Sequence, residues 1–573
     1  MRRIINKGLK RVSVPLLALS MILVSTPMVS AEGQSLPEKS FQILNPTMDT
    51  STGVKATVKI SPIQGKNHAG EEVVVFELMN GITPLSIAAT EKDIEKEENF
   101  TVHFNVTGSN LTVKVFVVDR YGDITNIGNS LADPVDIKNG AGGQLRSAKI
   151  AVLSDTHLMD LSLGTSGEAY EEYLSNDRKL LGESDAILKS AVASLKSSGV
   201  QIVLVSGDLT KDGELVSHNR FAAYMTELEN AGIKVYVMAG NHDINNPDAK
   251  RFDGPNATPV EYVSPSKFAE IYNQFGYGEA IARDPHSLSY VVEPTPGLWI
   301  ISMDSALYDT NIADHTPKTG GAYSEQRFAW IKEQLEKARQ QGKTVLGMTH
   351  HGIVQHFDVE EAIFPEYVID DWRNVSKELA DLGMKAVLTG HFHAQDIAKK
   401  ETDKGNFIFD IETGSLVTYP IPYRILEFTP EKKLVINTQT VQSIDYNTNG
   451  KPFPQYAKDF LVQGLNGLVP KMLAGEFMKL GMPQAQAYQQ ALQTFNTPVA
   501  EKVTLGNVIV NAMASHYEGD EAADPVATGV ATNLLKSTNP VQQKLGKFIQ
   551  SLITDSYPKD KNITIDLTTG QVQ

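Results

Sequence analysis

Six short apolar runs, spaced by amphipathic stretches, constrain the fold of this 573-residue chain more than any other feature. They lie at 149–154, 201–206, 234–239, 298–303, 344–348 and 385–389, and each is too short to be a buried helix. Helical patterns fall between them at 185–197, 220–230, 325–340 and 375–382. Strand and helix in alternation specify an α/β layered domain with helices over its sheets. The strand pattern returns at 407–442. Beyond Asn447 the chain turns helical, with apolar positions at Leu461, Leu465 and Leu468 and again at Leu545, Phe548, Ile549 and Leu552.

Residues 37–140 read differently. The stretches 54–60, 72–78, 99–106 and 111–119 alternate apolar with polar side chains and are separated by turn-forming clusters such as Arg120-Tyr121-Gly122-Asp123. Short strands at this spacing suggest an immunoglobulin- or fibronectin-like β-sandwich, joined to the α/β region by a Gly-rich linker at 138–144. Ahead of it, Arg2, Arg3, Lys7, Lys10 and Arg11 precede an apolar run at 12–24 and the small-residue site Val29-Ser30-Ala31. This is the layout of a cleaved secretory signal over residues 1–31, since the run falls short of the roughly 20 residues a spanning helix needs. The expected organisation is therefore 1–31 signal, 37–140 sandwich, 147–445 α/β domain and 446–573 helical domain, in a chain that is exported and has no stable membrane anchor.

Composition narrows the chemistry. There is no cysteine, which removes disulfides, thiolate metal sites and a cysteine nucleophile. Formal charge is −16, and losing five cations with the signal takes it to −21. Without a Lys/Arg-rich stripe, nucleic acid is not expected as the main partner.

Five of the apolar runs end in polar residues suited to divalent metals: Asp155-Thr156-His157, Gly207-Asp208, Gly240-Asn241-His242-Asp243, Thr349-His350-His351 and Gly390-His391-Phe392-His393. Six of the thirteen histidines lie in these segments. Ligands of open α/β sheets bind outside the carboxyl ends of strands, so the five segments can converge. In Asp155-x-His157 and His391-x-His393 the paired residues project from one side of an extended segment. Glycines before Asp208, Asn241 and His391 allow sharp turns and close backbone approach to an anion. The sulfur-free donor set suits Mn, Fe or Zn. It exceeds what one tetrahedral site needs, which points to two ions, with Asp208 as the natural bridge because a carboxylate has two oxygens. His68, His103, His218, His286, His315 and His516 lack this context and read as structural or surface residues; His351 and His356 receive no role.

This ordered set resembles the signature of the calcineurin-like metallophosphoesterases over about residues 147–430. The resemblance implies an α/β fold of two mixed β-sheets sandwiched between helices. It also implies a dinuclear centre in which Asp155, His157 and His393 hold one metal, Asn241, His350 and His391 the second, and Asp208 bridges both. His350 is preferred over His351 as the first histidine after its strand. His242 would be the catalytic histidine, protonating the leaving oxygen or stabilising the transition state, with Asp243 orienting it, while metal-activated water attacks phosphorus in line. The 207–214 and 240–243 segments look most like the class III cyclic-nucleotide phosphodiesterases, and the flanking regions resemble exported bacterial members. Small phosphodiesters, cyclic AMP foremost, are the expected substrates. A broad phosphomonoesterase or nucleotidase is the alternative, and a non-catalytic metal-binding scaffold the second. Substrate choice is expected in 158–180, 244–286 and 305–323, where Tyr170, Tyr173, Phe252, Tyr262, Tyr308 and Tyr323 could stack a base and Arg178, Asn245 and Asn246 could bind phosphate or ribose.

Overall fold

The computed structural model describes residues 5–6, 9–12, 39–49, 53–66, 70–81, 83–106, 111–122, 128–138, 147–175, 177–555 and 557–573. Of the expected signal only two short strands, Ile5–Asn6 and Leu9–Val12, are described; the apolar run after Val12, the Val29-Ser30-Ala31 site, His68 and the linker beyond Lys138 lie outside these residues. The chain divides into two compact units, one of residues 1–146 with 295–299 and 334–344, the other of the remainder.

In the first unit, a three-stranded antiparallel sheet of Phe41–Asp49, Val54–Pro62 and Glu98–Phe104 shares one apolar core with a six-stranded sheet containing Thr83–Asp93, Glu71–Asn80, Leu111–Val118 and Val135–Lys138. Alternation explains the arrangement: Val54, Ala56, Val58 and Ile60 point inward, as do Val113, Val115 and Val117. Three strands escaped the sequence reading. In Phe41–Asp49 the pairing register shifts between Leu44 and Thr47, where Asn45 has φ 49°, and this breaks the period. Thr83–Asp93 buries only Ala88 and Ala89, so it carries little apolar signal. Val135–Lys138 is short.

In the second unit, the six runs fall three to each of two mixed sheets. One sheet has the order Lys234–Val237, Ile202–Val205, Ala148–Leu153, Pro422–Phe428, Lys433–Thr440, Asn562–Asp566. Its first three strands are parallel and the rest antiparallel. The other has the order Ala282–Arg283, Tyr290–Thr295, Leu298–Ser302, Thr344–Met348, Ala386–Thr389, Phe407–Glu412, Ile397–Glu401. Ile202–Val205 and Ala386–Thr389 are buried at every residue, as strands covered on both faces are. Helix Ser184–Ser197 turns Ile187, Leu188, Ala191, Val192 and Leu195 inward.

The region after Asn447 forms five helices, Phe453–Lys479, Gln484–Phe495, Leu505–Glu518, Pro525–Leu535 and Pro540–Leu552. It is not helical throughout. Asn562–Asp566 returns to pair with Lys433–Thr440 and finishes the first sheet, placing Ile563 and Ile565 in the core. The helical core also receives Phe392, which lies between two candidate ligands, and Phe357. The helices thus help fix the loop that carries His391 and His393. No described helix is long and apolar enough to cross a membrane.

Candidate metal centre

All seven expected ligands come together at the carboxyl ends of strands, in two groups. Asp155, His157 and His393 form one; Asp208, His350 and His391 form the other; His157, Asp208 and His242 link them. Asp155 Oδ1 lies 3.3 Å from His393 Nε2 and 3.8 Å from His157 Nε2. His350 Nε2 lies 3.1 Å from Asn241 Oδ1 and 3.3 Å from Asp208 Oδ2. His350 Nδ1 donates to the Ser206 carbonyl at 2.8 Å, which leaves Nε2 to face the centre. His391 Nε2 engages the Glu366 carbonyl at 3.1 Å, which leaves Nδ1 as the nitrogen free to face a cation. Both nitrogens of His351 are occupied, by Ser305 Oγ at 2.8 Å and the Thr319 carbonyl at 2.9 Å.

The backbone bends to achieve this. Asp155, His157, Asp208, His391 and His393 have φ of 49°, 36°, 49°, 76° and 73°, in the left-handed region that non-glycine residues avoid. Glycine lets neighbouring segments of the site approach closely. A Cβ at Gly390 would stand 1.9 Å from Ser154 Oγ and 2.4 Å from Asp155 Oδ2, and one at Gly207 2.5 Å from His350 Nδ1.

The donor set fits metal cations. Asp155 Oδ2 accepts from Ser154 Oγ and the His391 N–H, but buried Oδ1 has no hydrogen-bond partner and faces imidazole nitrogens. An orphaned carboxylate oxygen in that company is costly without a cation. Asp208 stands in both the linking group and the second group. Its Oδ1 accepts the His242 N–H at 2.9 Å, so the oxygen reaching both groups is Oδ2, 3.3 Å from His350 and 3.7 Å from His157. Burial, then Lys179, holds His157 well below the usual histidine range. Burial, then His351, does the same for His391, and burial outweighs Asp155 to keep His393 low. Neutral imidazoles are what a metal requires. His350 is pushed up to about 9: burial opposes this, but Asp208 and Asp155 outweigh it.

The role expected of Asp243 is corrected. Its carboxylate is taken up by the N–H groups of Leu209, Thr210 and Gly240 and by Thr210 Oγ1, at 2.8–3.1 Å, so it braces the turn instead of touching the His242 ring. His242 Nδ1 pairs with Asp212 Oδ1 at 2.8 Å. Asp212 is held in turn by Lys211 and by Tyr173 OH at 3.1 Å. Sequence adjacency favoured Asp243; the real partner stands thirty residues back, four after Asp208.

Tyr173 and Phe252 line a cavity of about 550 Å³ that also takes in His242, Asp212, Lys179 and Lys250. The other aromatic candidates do not. Tyr308 OH donates to Asp304, Tyr323 OH to Thr349, Tyr170 packs on Phe252, and Tyr262 is exposed. Asn246 Nδ2 holds the His242 carbonyl at 3.0 Å, Asn245 reaches the Tyr308 carbonyl at 3.4 Å, and Arg178 Nη2 lies 3.4 Å from Tyr367 OH.

The calcineurin-like phosphoesterase family model matches residues 148–395, the stretch that supplies every one of these ligands. The similarity covers this segment, under half of the chain. Solved structures similar to the chain include a dimetal phosphatase from Danio rerio, at 17% identity over 51% of this chain and 96% of that one, TM-score 0.39. A purple acid phosphatase from yellow lupin (Lupinus luteus) seeds matches at 12% over 69% and 72%, TM-score 0.33. A 5′-nucleotidase precursor from Thermus thermophilus matches at 11% over 59% and 60%, TM-score 0.28. No curated protein matches the chain. Within this segment, Asp212 beside His242 and Lys179 in the adjoining cavity are the features that sequence reasoning missed.

Proposed function

We propose that this chain is a dinuclear metal-dependent hydrolase of small phosphodiesters, with 3′,5′-cyclic nucleotides, cyclic AMP foremost, as its favoured substrates. The reading rests above all on the orphaned Asp155 Oδ1 within a convergent set of seven N/O donors. Two divalent ions, of Mn, Fe or Zn, held by Asp155, His157 and His393 and by Asn241, His350 and His391 with Asp208 shared, would neutralise phosphoryl charge and bring the pKa of water to around 7. His242 supplies the proton. Burial and Lys179 work against its charging, yet Asp208 and Asp212 outweigh them and raise its pKa, so it stands protonated more readily than a free histidine. With Nδ1 tied to Asp212, Nε2 is the atom that reaches the leaving oxygen. The cavity beside it is of a size that suits a nucleoside-sized leaving group.

The second reading, a phosphomonoesterase or nucleotidase, draws support from Lys179 beside the centre, because a dianionic phosphate gains more from an added cation. Turnover of bis-p-nitrophenyl phosphate against p-nitrophenyl phosphate with Mn²⁺ separates the two, and a panel of cyclic AMP, cyclic GMP and 2′,3′-cyclic nucleotides follows. Diester turnover with a cyclic-nucleotide preference is expected. No turnover with both metals bound would make the domain a scaffold. For location we propose export, tested by whether the released protein begins at Glu32.

A further inference from the structure

Lys179 sits in the turn between helices Glu168–Leu174 and Ser184–Ser197, only 7% exposed. Leu180 pins the turn by donating its N–H to the Val417 carbonyl at 2.8 Å. Asp177 shapes it, with Oδ1 accepting the N–H groups of Arg178 and Lys179 at 2.7 and 3.0 Å. The Lys179 ammonium faces Asp177 Oδ2 at 3.5 Å, which is long for a charge-assisted hydrogen bond. A lysine offers three donors.

Two nearby lysines are engaged differently. Lys211 is fully buried and gripped by Asp212 and by Glu214 at 3.0 Å, and Lys250 pairs with Asp248 at 2.9 Å. Lys179 has the loosest ion pair of the three, and it lines the cavity that holds His242 and Asp212.

A buried ammonium beside a place built for two divalent cations is repelled by them. The arrangement becomes favourable when an anion sits among all three charges. We propose that Lys179 binds a non-bridging oxygen of the substrate's phosphoryl group, and of the phosphate product, on the His242 side of the centre. Asp177 draws on Lys179 first, then on Arg178 and two backbone N–H groups, but one long contact to its Oδ2 leaves the other donors of the ammonium for a further anion. The contact rests on the phosphoesterase reading. It gains more from a dianionic phosphomonoester or free phosphate than from a singly charged diester, so Lys179 sets how far the site tolerates monoesters.

The test uses the metal-loaded full chain with Lys179→Met, Lys179→Gln and Lys179→Arg. Calorimetric titration with inorganic phosphate should show affinity about tenfold weaker or more in the folded Met and Gln variants, with both metals retained. Arg should restore most of it. In turnover, KM should rise more than kcat falls, and the loss should be larger for p-nitrophenyl phosphate than for its bis ester. Unchanged phosphate affinity in a folded, metal-replete Met or Gln variant overturns the proposal. So does equal loss in Arg, or loss of metal along with phosphate. If the wild type turns over neither ester, the hydrolase reading fails on its own, and the phosphate titration still decides the role of Lys179.

Discussion

The second unit holds another buried cluster of histidines and carboxylates, and the two clusters differ in how their histidines are held. In the second, His356 lies 3.1 Å from Asp396, 3.5 Å from Asp410 and 3.7 Å from Glu412, while His516 Nδ1 lies 2.6 Å from Glu521. Both histidines are raised in pKa: burial opposes it, but Asp410 and Asp396 outweigh it for His356, and Glu521 does so for His516. Both thus lean towards the protonated form beside their carboxylates, and Asp396, His516 and Glu521 also stand close enough together to hold a cation. At the first centre, three of four candidate histidine ligands are held low and keep a lone pair for a cation. Burial and charge density are common to both clusters. The left-handed ligand backbones and the cavity belong to the first.

The comparison breaks most readily at Asp208. Asp208→Asn should lower turnover by at least about 1,000-fold and reduce bound metal in elemental analysis, whereas Glu521→Gln in the second cluster should leave metal stoichiometry unchanged. If Glu521→Gln also sheds metal, the second cluster is a metal site too. His242→Ala should cost about 100-fold or more with both metals retained; an emptied centre would show His242 to be a ligand. Asp212→Asn should cost about 10- to 100-fold and move the pH profile of kcat, while Asp243→Asn should instead lower thermal stability.

His516→Gln should destabilise the fold by about 3 kcal/mol, measured by chemical denaturation, without altering kcat per folded molecule. The smallest effect is in pH. His516 and His356 bind protons in the folded chain that the unfolded chain releases near pH 6.5, so their stabilisation is complete below that value and is lost as pH rises through the raised folded pKa. Stability of the wild type should therefore decline above about pH 6.5, and His516→Gln should flatten that slope.

Much of this was legible from residue patterns. The six apolar runs are strands of two mixed sheets, and the polar residues closing five of them meet at one place. What escaped has physical reasons. Five ligands adopt a conformation for which sequence would call for glycine, because close coordination geometry outweighs local preference there. Asp212 was hidden because chain neighbours on a turn point apart, which made Asp243 look like the partner of His242. His516, read as a structural or surface residue, is structural: its partner Glu521 stands five residues on in the loop beyond the helix, and Asp396 is 120 residues away, so neither leaves a helical pattern. The strand Asn562–Asp566 follows a long helical stretch, and its five residues carry only two inward apolar side chains.

That strand has a consequence for how the chain is made. The edge of Lys433–Thr440, with Leu434 and Ile436 buried beneath it, is covered only once residue 566 has been synthesised and has folded back. A product lacking 562–573 would present a bare, apolar-backed edge able to recruit a strand from another molecule. Completion of the sheet thus waits on a segment that follows the five helices.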